Sequence, residues 1–171
     1  IRVIPWIGPK TERFLHERHI RTVADLRTLE RAQLAEWFGR RGEDLFAKAR
    51  GLSESAVSNE RERKSVGEQE TFEVDTLDAA LVLERARALA RTVWSRLEGH
   101  GFRAFRTVTV TVRFENFITF ARSRTGREAW TSEEALCAAA LELLLPFLDA
   151  RENPRHRKLR LIGVRAEKLS R

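Results

Sequence analysis

The sequence predicts an α+β protein: a small helical module, then a β-α-β-β-α-β unit with one four-stranded antiparallel sheet and both helices on one face. Three observations carry this. Residues 106–125, RTVTVTVRFENFITFARSRT, alternate Thr107, Thr109 and Thr111 with Val108, Val110 and Val112, break at Glu115-Asn116, and turn β-rich again from Ile118 to Thr125. Period two in two runs joined by a short polar turn is a half-buried hairpin. A stretch with helical spacing lies on each side of that hairpin, and a further apolar run with β character closes the chain. Before residue 53 only helical signals occur.

The elements follow in order. Ile4-Pro5-Trp6-Ile7-Gly8-Pro9-Lys10-Thr11 reads as a tight turn into a helix, with Gly8 permissive, Pro9 suited to the first helical position, and Phe14 and Leu15 as apolar contacts. Thr22-Val23-Ala24-Asp25 resembles a capping sequence, and Leu26, Leu29 and Leu34 continue one apolar stripe towards Trp37-Phe38, which Gly39 ends. A further helix is expected from Glu43 to Arg50, with Leu45, Phe46 and Ala49 inside and Gly51 as its stop. These make a helical domain over 1–52. Residues 53–64, SESAVSNERERK, are polar and charged and read as a tether, leaving 65–171 as the second domain.

In that domain Ser65 to Val74 is the first strand, and Asp75 or Thr76 is expected to cap a long helix carrying Leu77, Leu81, Ala88, Leu89, Val93 and Leu97. Gly99 and Gly101 close it. The hairpin supplies two central strands and leads to a loop containing Gly126. Thr131-Ser132-Glu133-Glu134 then reads as a capping box for a helix with Leu136, Ala140, Leu143, Leu144 and Phe147, which Pro146 kinks or ends. Lys158 to Lys168 is the last strand.

Composition bounds the function. Lys and Arg outnumber Asp and Glu by 32 to 25 in 171 residues, and the pI is about 10.6. That balance suits a polyanionic partner, although an arginine-rich solvated surface has the same composition. Cys137, the one cysteine, sits at helical spacing among Ala and Leu, so it reads as buried and apolar, within a reducing compartment. No apolar run is long enough to span a membrane and no export signal is visible, so the expected location is the cytoplasm. The chain contains no Met and opens on Ile1-Arg2-Val3, and we read it as a fragment, although removal of the initiator alone would leave the same mark.

The polar face of the hairpin offers hydroxyls and guanidinium groups without a pair of carboxylates, chemistry suited to holding phosphates rather than breaking bonds. Thr107, Thr109, Thr111, Arg113, Ser123 and Thr125 are expected to face outward, while alternation puts Phe114 and Phe120 in the core. An RNA-recognition module has the same element order but needs exposed aromatics in its central strands, so base stacking is disfavoured. Near the N-terminus, the helix opening after Gly8, with Lys10 alongside, could receive a phosphate, or be an ordinary capped turn. Asp75 and Asp78 read as capping residues rather than metal ligands, and His16 and His19 in LHERHI miss the HExxH spacing by one residue.

Three segments in the same order carry a resemblance: IPWIGPKT with FGRRGEDLFAKARGL; KSVGEQETFEVD with RTVTVTVRFENFITFARSRT; and RKLRLIGVRAEKL. Together they resemble the helix-hairpin-helix thumb and the little finger of Y-family translesion DNA polymerases of the DNA polymerase IV type. The resemblance implies a chain that grips the primer-template backbone, with contacts from Gly8, Lys10 and Thr11 in the thumb and from Ser65, Arg122, Ser123, Arg124, Thr125, Arg160 and Arg165 in the little finger. It further implies a palm preceding Ile1, which would hold Mg2+, so that these residues bind DNA and catalyse nothing themselves. A sliding clamp is the other partner implied for the full-length protein, and the nucleoid its place of work during repair.

Two departures stand out. The family hairpin usually reads Gly-Ile-Gly where this chain has Trp6-Ile7-Gly8, a bulky residue where a phosphate would approach. Alternation also puts Arg122 and Arg124 on the face of Ile118 and Phe120, so reaching DNA would require a bulge, a sheet edge or side chains that bend around. The alternatives are a piece of a catalytically inactive polymerase relative serving as a mutagenesis scaffold, and a free-standing RNA-binding or interaction module.

Overall fold

The computed structural model describes residues 1–52 and 62–171. Two compact units divide the chain, Ile1–Glu60 and Arg61–Arg171. The division falls in the segment read as a tether, of which 53–61 lies outside the described residues.

The first unit contains α1 (Pro9–His16), α2 (Val23–Arg27), α3 (Arg31–Phe38) and α4 (Arg40–Ala49) around a core that includes Ile7, Leu15, Leu26, Leu34 and Leu45. Pro9 sits at the start of α1. Thr22 and Asp25 form a reciprocal capping box at α2: the Thr22 hydroxyl accepts from Asp25 N–H and the Asp25 carboxylate from Thr22 N–H. The stripe read as one helix from Thr22 to Phe38 is two, because α2 stops at Arg27. There Thr28 Oγ1 donates back to the carbonyl of Asp25, and the guanidinium of Arg50 donates to the carbonyls of Arg27 at 2.7 Å and Leu29 at 3.3 Å. Carbonyls left unpaired by the break thus find a donor from the far end of α4. That helix also begins earlier than expected, at Arg40 directly after Gly39, whose φ of 60° makes the corner. Gly42 permits the tight α3–α4 approach: a Cβ there would stand 1.8 Å from the carbonyl oxygen of Leu34.

The second unit runs β1 (Ser65–Thr76), α5 (Ala79–Gly99), β2 (Phe105–Phe114), β3 (Thr119–Trp130), α6 (Glu133–Leu144), a 3-10 turn (Leu145–Leu148) and β4 (Leu159–Glu167). This is the expected β-α-β-β-α-β order. Its sheet is antiparallel throughout, in the order β1-β4-β2-β3. The hairpin's second strand is therefore an edge strand, because β4 pairs between β1 and β2 and takes the centre. Helix α5 packs on β1 and β4, α6 on β2 and β3, and the two helices pack on each other. Val108, Val110, Val112, Ile162, Val164 and Ala166 meet Val82, Ala86, Leu89, Val93, Leu97, Leu136 and Ala140 in the core. Phe114 and Phe120 meet edge to face at 5.8 Å and pack on Phe147 of the 3-10 turn at 6.5 and 6.4 Å, inside as alternation requires.

Several local expectations shift. Asp78, not Asp75 or Thr76, caps α5 by accepting from Leu81 N–H. The helix consequently starts later, and its buried face is Val82, Ala86, Leu89, Val93 and Leu97, with Leu77, Leu81 and Ala88 exposed. Gly126 lies inside β3 rather than in a loop. Between the pairs Thr107 with Thr125 and Phe105 with Trp130, β3 carries three residues more than β2, and it bulges there. Ser132 alone caps α6, accepting from Ala135 N–H; Pro146 follows its end at Leu144. Cys137 is half-buried against the core.

Candidate nucleic-acid interface

Strand register assembles the helix-free face of the second unit in rows. In one row Gly67, Arg165, Thr109 and Ser123 stand side by side across β1, β4, β2 and β3; the next holds Ser65, Glu167, Thr107 and Thr125, and on the other side come Gln69, Gly163, Thr111 and Ala121. No aromatic residue occupies these rows.

The hydroxyls behave differently from expectation. Thr107 is 5% and Thr109 3% exposed. Their Oγ1 atoms share hydrogen bonds with Thr125 Oγ1 at 2.9 Å and Ser123 Oγ at 2.8 Å. These cross-strand pairs tie β2 to the edge strand, leaving Ser123 and Thr125 as the outer members. Thr111 and Arg113 remain half-exposed, with Arg113 Nε donating to Thr119 Oγ1 at 2.8 Å.

A shallow depression opens on this face, lined by Gly67, Glu68, Gln69, Thr111, Gly163, Val164 and Arg165; the Glu68 carboxylate pairs with Arg96 of α5. Glycine makes it: a Cβ on Gly67 would stand 2.9 Å from Arg165 Cβ, and one on Gly163 3.1 Å from Gln69 Cβ. Sequence reading missed both glycines as site-forming residues; Gly163 is two positions from Arg165 on β4, but the register that puts Gly67 beside Arg165 joins strands far apart in the chain.

Each expected arginine has an acidic neighbour. Arg165 Nε is 2.7 Å from Glu167, and Arg160 Nη1 is 3.3 Å from Asp75. On the helix side, as strict alternation requires, Arg122 makes a two-pronged pair with Glu152 at 2.8 and 2.9 Å, and Arg124 pairs with Glu142 of α6. Both stand on the edge strand and stay exposed. Such half-exposed pairs contribute about 0–1 kcal/mol each, so a phosphate can compete for the guanidinium. Arg160 occupies a bulge: Leu159 pairs with Phe114 and Leu161 with Arg113, leaving Arg160 without a register partner on β2. Its guanidinium lies 4.6 Å from the ring of Phe117, an exposed aromatic of the β2–β3 turn.

In the first unit Gly8 is the N-cap of α1 and has no side-chain cap, open space lies where a Cβ would point, and Lys10 is exposed with Thr11 half-buried one position on. Unpaired N–H groups of a first turn beside a lysine suit an anion. Among the described residues no group of three His, Cys, Asp or Glu could hold a metal ion. Asp75 faces Arg160 and Asp78 caps α5. No described helix is long and apolar enough to cross a membrane.

The architecture defines a class first: a helical unit joined to an antiparallel α+β unit with one sheet face left bare, the fold of Y-family polymerase C-terminal regions. Among solved structures, the Y-family DNA polymerase chimera Dbh-Dpo4(243-245)-Dbh matches 99% of this chain and 47% of its own, with a TM-score of 0.72 and 21% identity. DinB from Sulfolobus solfataricus matches 96% of this chain and 46% of its own, at a TM-score of 0.52 and 20% identity. At that identity the likeness is one of fold.

Family membership rests on sequence. Residues 63–171 match the impB/mucB/samB family C-terminal domain, and the chain belongs to that family. A protein named DNA polymerase IV 2 from Agrobacterium fabrum is 37% identical over 164 residues, 96% of this chain and 44% of the relative. DNA polymerase IV from Methanoculleus marisnigri is 37% identical over 166 residues, 97% of this chain and again 44% of the relative. The chain thus spans less than half the length of these curated relatives.

Proposed function

We propose that this chain is the DNA-holding part of a Y-family polymerase, gripping primer-template backbone during translesion synthesis through the bare face of its second unit and the α1 opening of its first. The observation that carries this reading is the glycine-lined depression beside Arg165, on a sheet face with no aromatic residue and no pair of adjacent carboxylates. Backbone can approach closely where side chains are absent, a guanidinium supplies charge, and hydroxyls supply uncharged donors. An RNA-recognition surface would need stacking rings on the same face. The Mg2+ and the transfer chemistry belong, in this reading, to a palm elsewhere in the whole protein. A sliding clamp as second partner and work at the nucleoid in the cytoplasm follow the same likeness to DNA polymerase IV.

The test is the double substitution Arg160→Ala with Arg165→Ala, assayed by anisotropy on primer-template duplexes of unrelated sequence. Phosphate contacts carry no base information, so affinity should fall by the same factor for every sequence, and the slope of log affinity against log salt should shrink by about 0.9 for each phosphate no longer neutralised. Weakening confined to one sequence would contradict the role.

A further inference from the structure

We propose that Trp6 is a DNA-contacting residue of the first unit, its indole ring packing against a deoxyribose of the duplex backbone. The proposal rests on the reading of this unit as a DNA holder and adds a contact that the Gly-Ile-Gly pattern lacks.

Three observations carry it. Trp6 is 87% exposed, whereas Phe14, Trp37, Phe38 and Phe46 pack against the unit's core. Its backbone has φ of 79°, a region that glycine enters freely and that costs a bulky residue stability. Burial returns little of that cost, since water covers the ring. Finally, the ring borders a depression also lined by Thr11, Phe38, Arg41, Asp44 and Lys48, with Lys48 Nζ 5.9 Å from the ring centroid. Two cations against one carboxylate favour an anionic partner, and an indole beside them offers an apolar plate. A sugar-phosphate backbone presents both chemistries within one nucleotide. Two residues of chain reach at most about 7 Å, so a ring at position 6 and Gly8 can engage neighbouring groups of one strand.

Stability and affinity should therefore respond separately to substitution. In the 171-residue chain, Trp6→Gly should melt no lower than the parent, because glycine takes the positive φ without strain. Its affinity for a fluorescein-labelled primer-template duplex should nonetheless fall roughly fivefold or more, as the apolar ring surface covered by the sugar returns to water. Trp6→Phe, which keeps a ring, should stay within about twofold of the parent. Glycine binding as tightly as tryptophan, or phenylalanine binding as weakly as glycine, would overturn the Trp6 role while leaving the DNA-holding reading intact. A parent chain that fails to bind duplex would overturn both.

Discussion

Arg165 and Glu167 alternate along β4 on the open face, close enough for a 2.7 Å pair, and the strength of the site depends on which partner the guanidinium prefers. Removing the competing charge should help. Glu167→Gln is expected to tighten duplex binding about two- to fivefold, measured by anisotropy at fixed salt, because a half-exposed pair is worth about 0–1 kcal/mol. Unchanged affinity would mean that Arg165 does not reach phosphate. Asp25 is a carboxylate whose titration the fold shifts. Backbone N–H groups of Arg21 and Thr22 hold its carboxyl below the ordinary value of 3.8. A carboxyl lowered in the folded state adds stability that is fully present above 3.8 and is lost as pH falls through the lower folded value. Acid melts followed by circular dichroism should therefore show part of the loss of the first unit's helicity in that window, and Asp25→Asn should remove that part. At this scale the sequence was partly legible. The capping box at Thr22 showed in its spacing, and alternation placed Arg122 and Arg124 on the helix side. Their partners Glu152 and Glu142 could not be read, being 30 and 18 residues away.

Elements depend on how local signals compete. Valine and threonine alternation was strong enough to define β2, and helical periodicity strong enough to define α5 from Leu89 onward. The ends were less legible because Asp75, Thr76 and Asp78 are all competent caps, and strand pairing between Thr76 and Leu159 holds the chain extended until Asp78. The break between α2 and α3 was not read from the sequence; Arg50, just past α4, donates to two of the carbonyls it frees. Tight packing of α3 on α4 gives the sharpest test of an element. Gly42→Ala would drive a methyl into the Leu34 carbonyl and should cost about 1–3 kcal/mol, read as a lower melting midpoint of the first unit. A neutral result would mean the helices sit farther apart.

For the molecule as a whole, the order of elements and the bare face were legible, whereas the strand order was not. A β-α-β-β-α-β sequence allows more than one pairing; the β4 register with β1 brings Gly67 beside Arg165, and the β4 register with β2 adds Thr109 and Thr111. The central claim is that this assembled surface holds duplex backbone, and the most direct test is competition across a salt series. A labelled primer-template duplex and a single-stranded RNA of equal length are titrated with the 171-residue chain. Duplex should be bound at least as well as the single strand, with log affinity falling against log salt by about 0.9 for each phosphate contacted. A flat salt response, or a clear preference for the single strand, would contradict it.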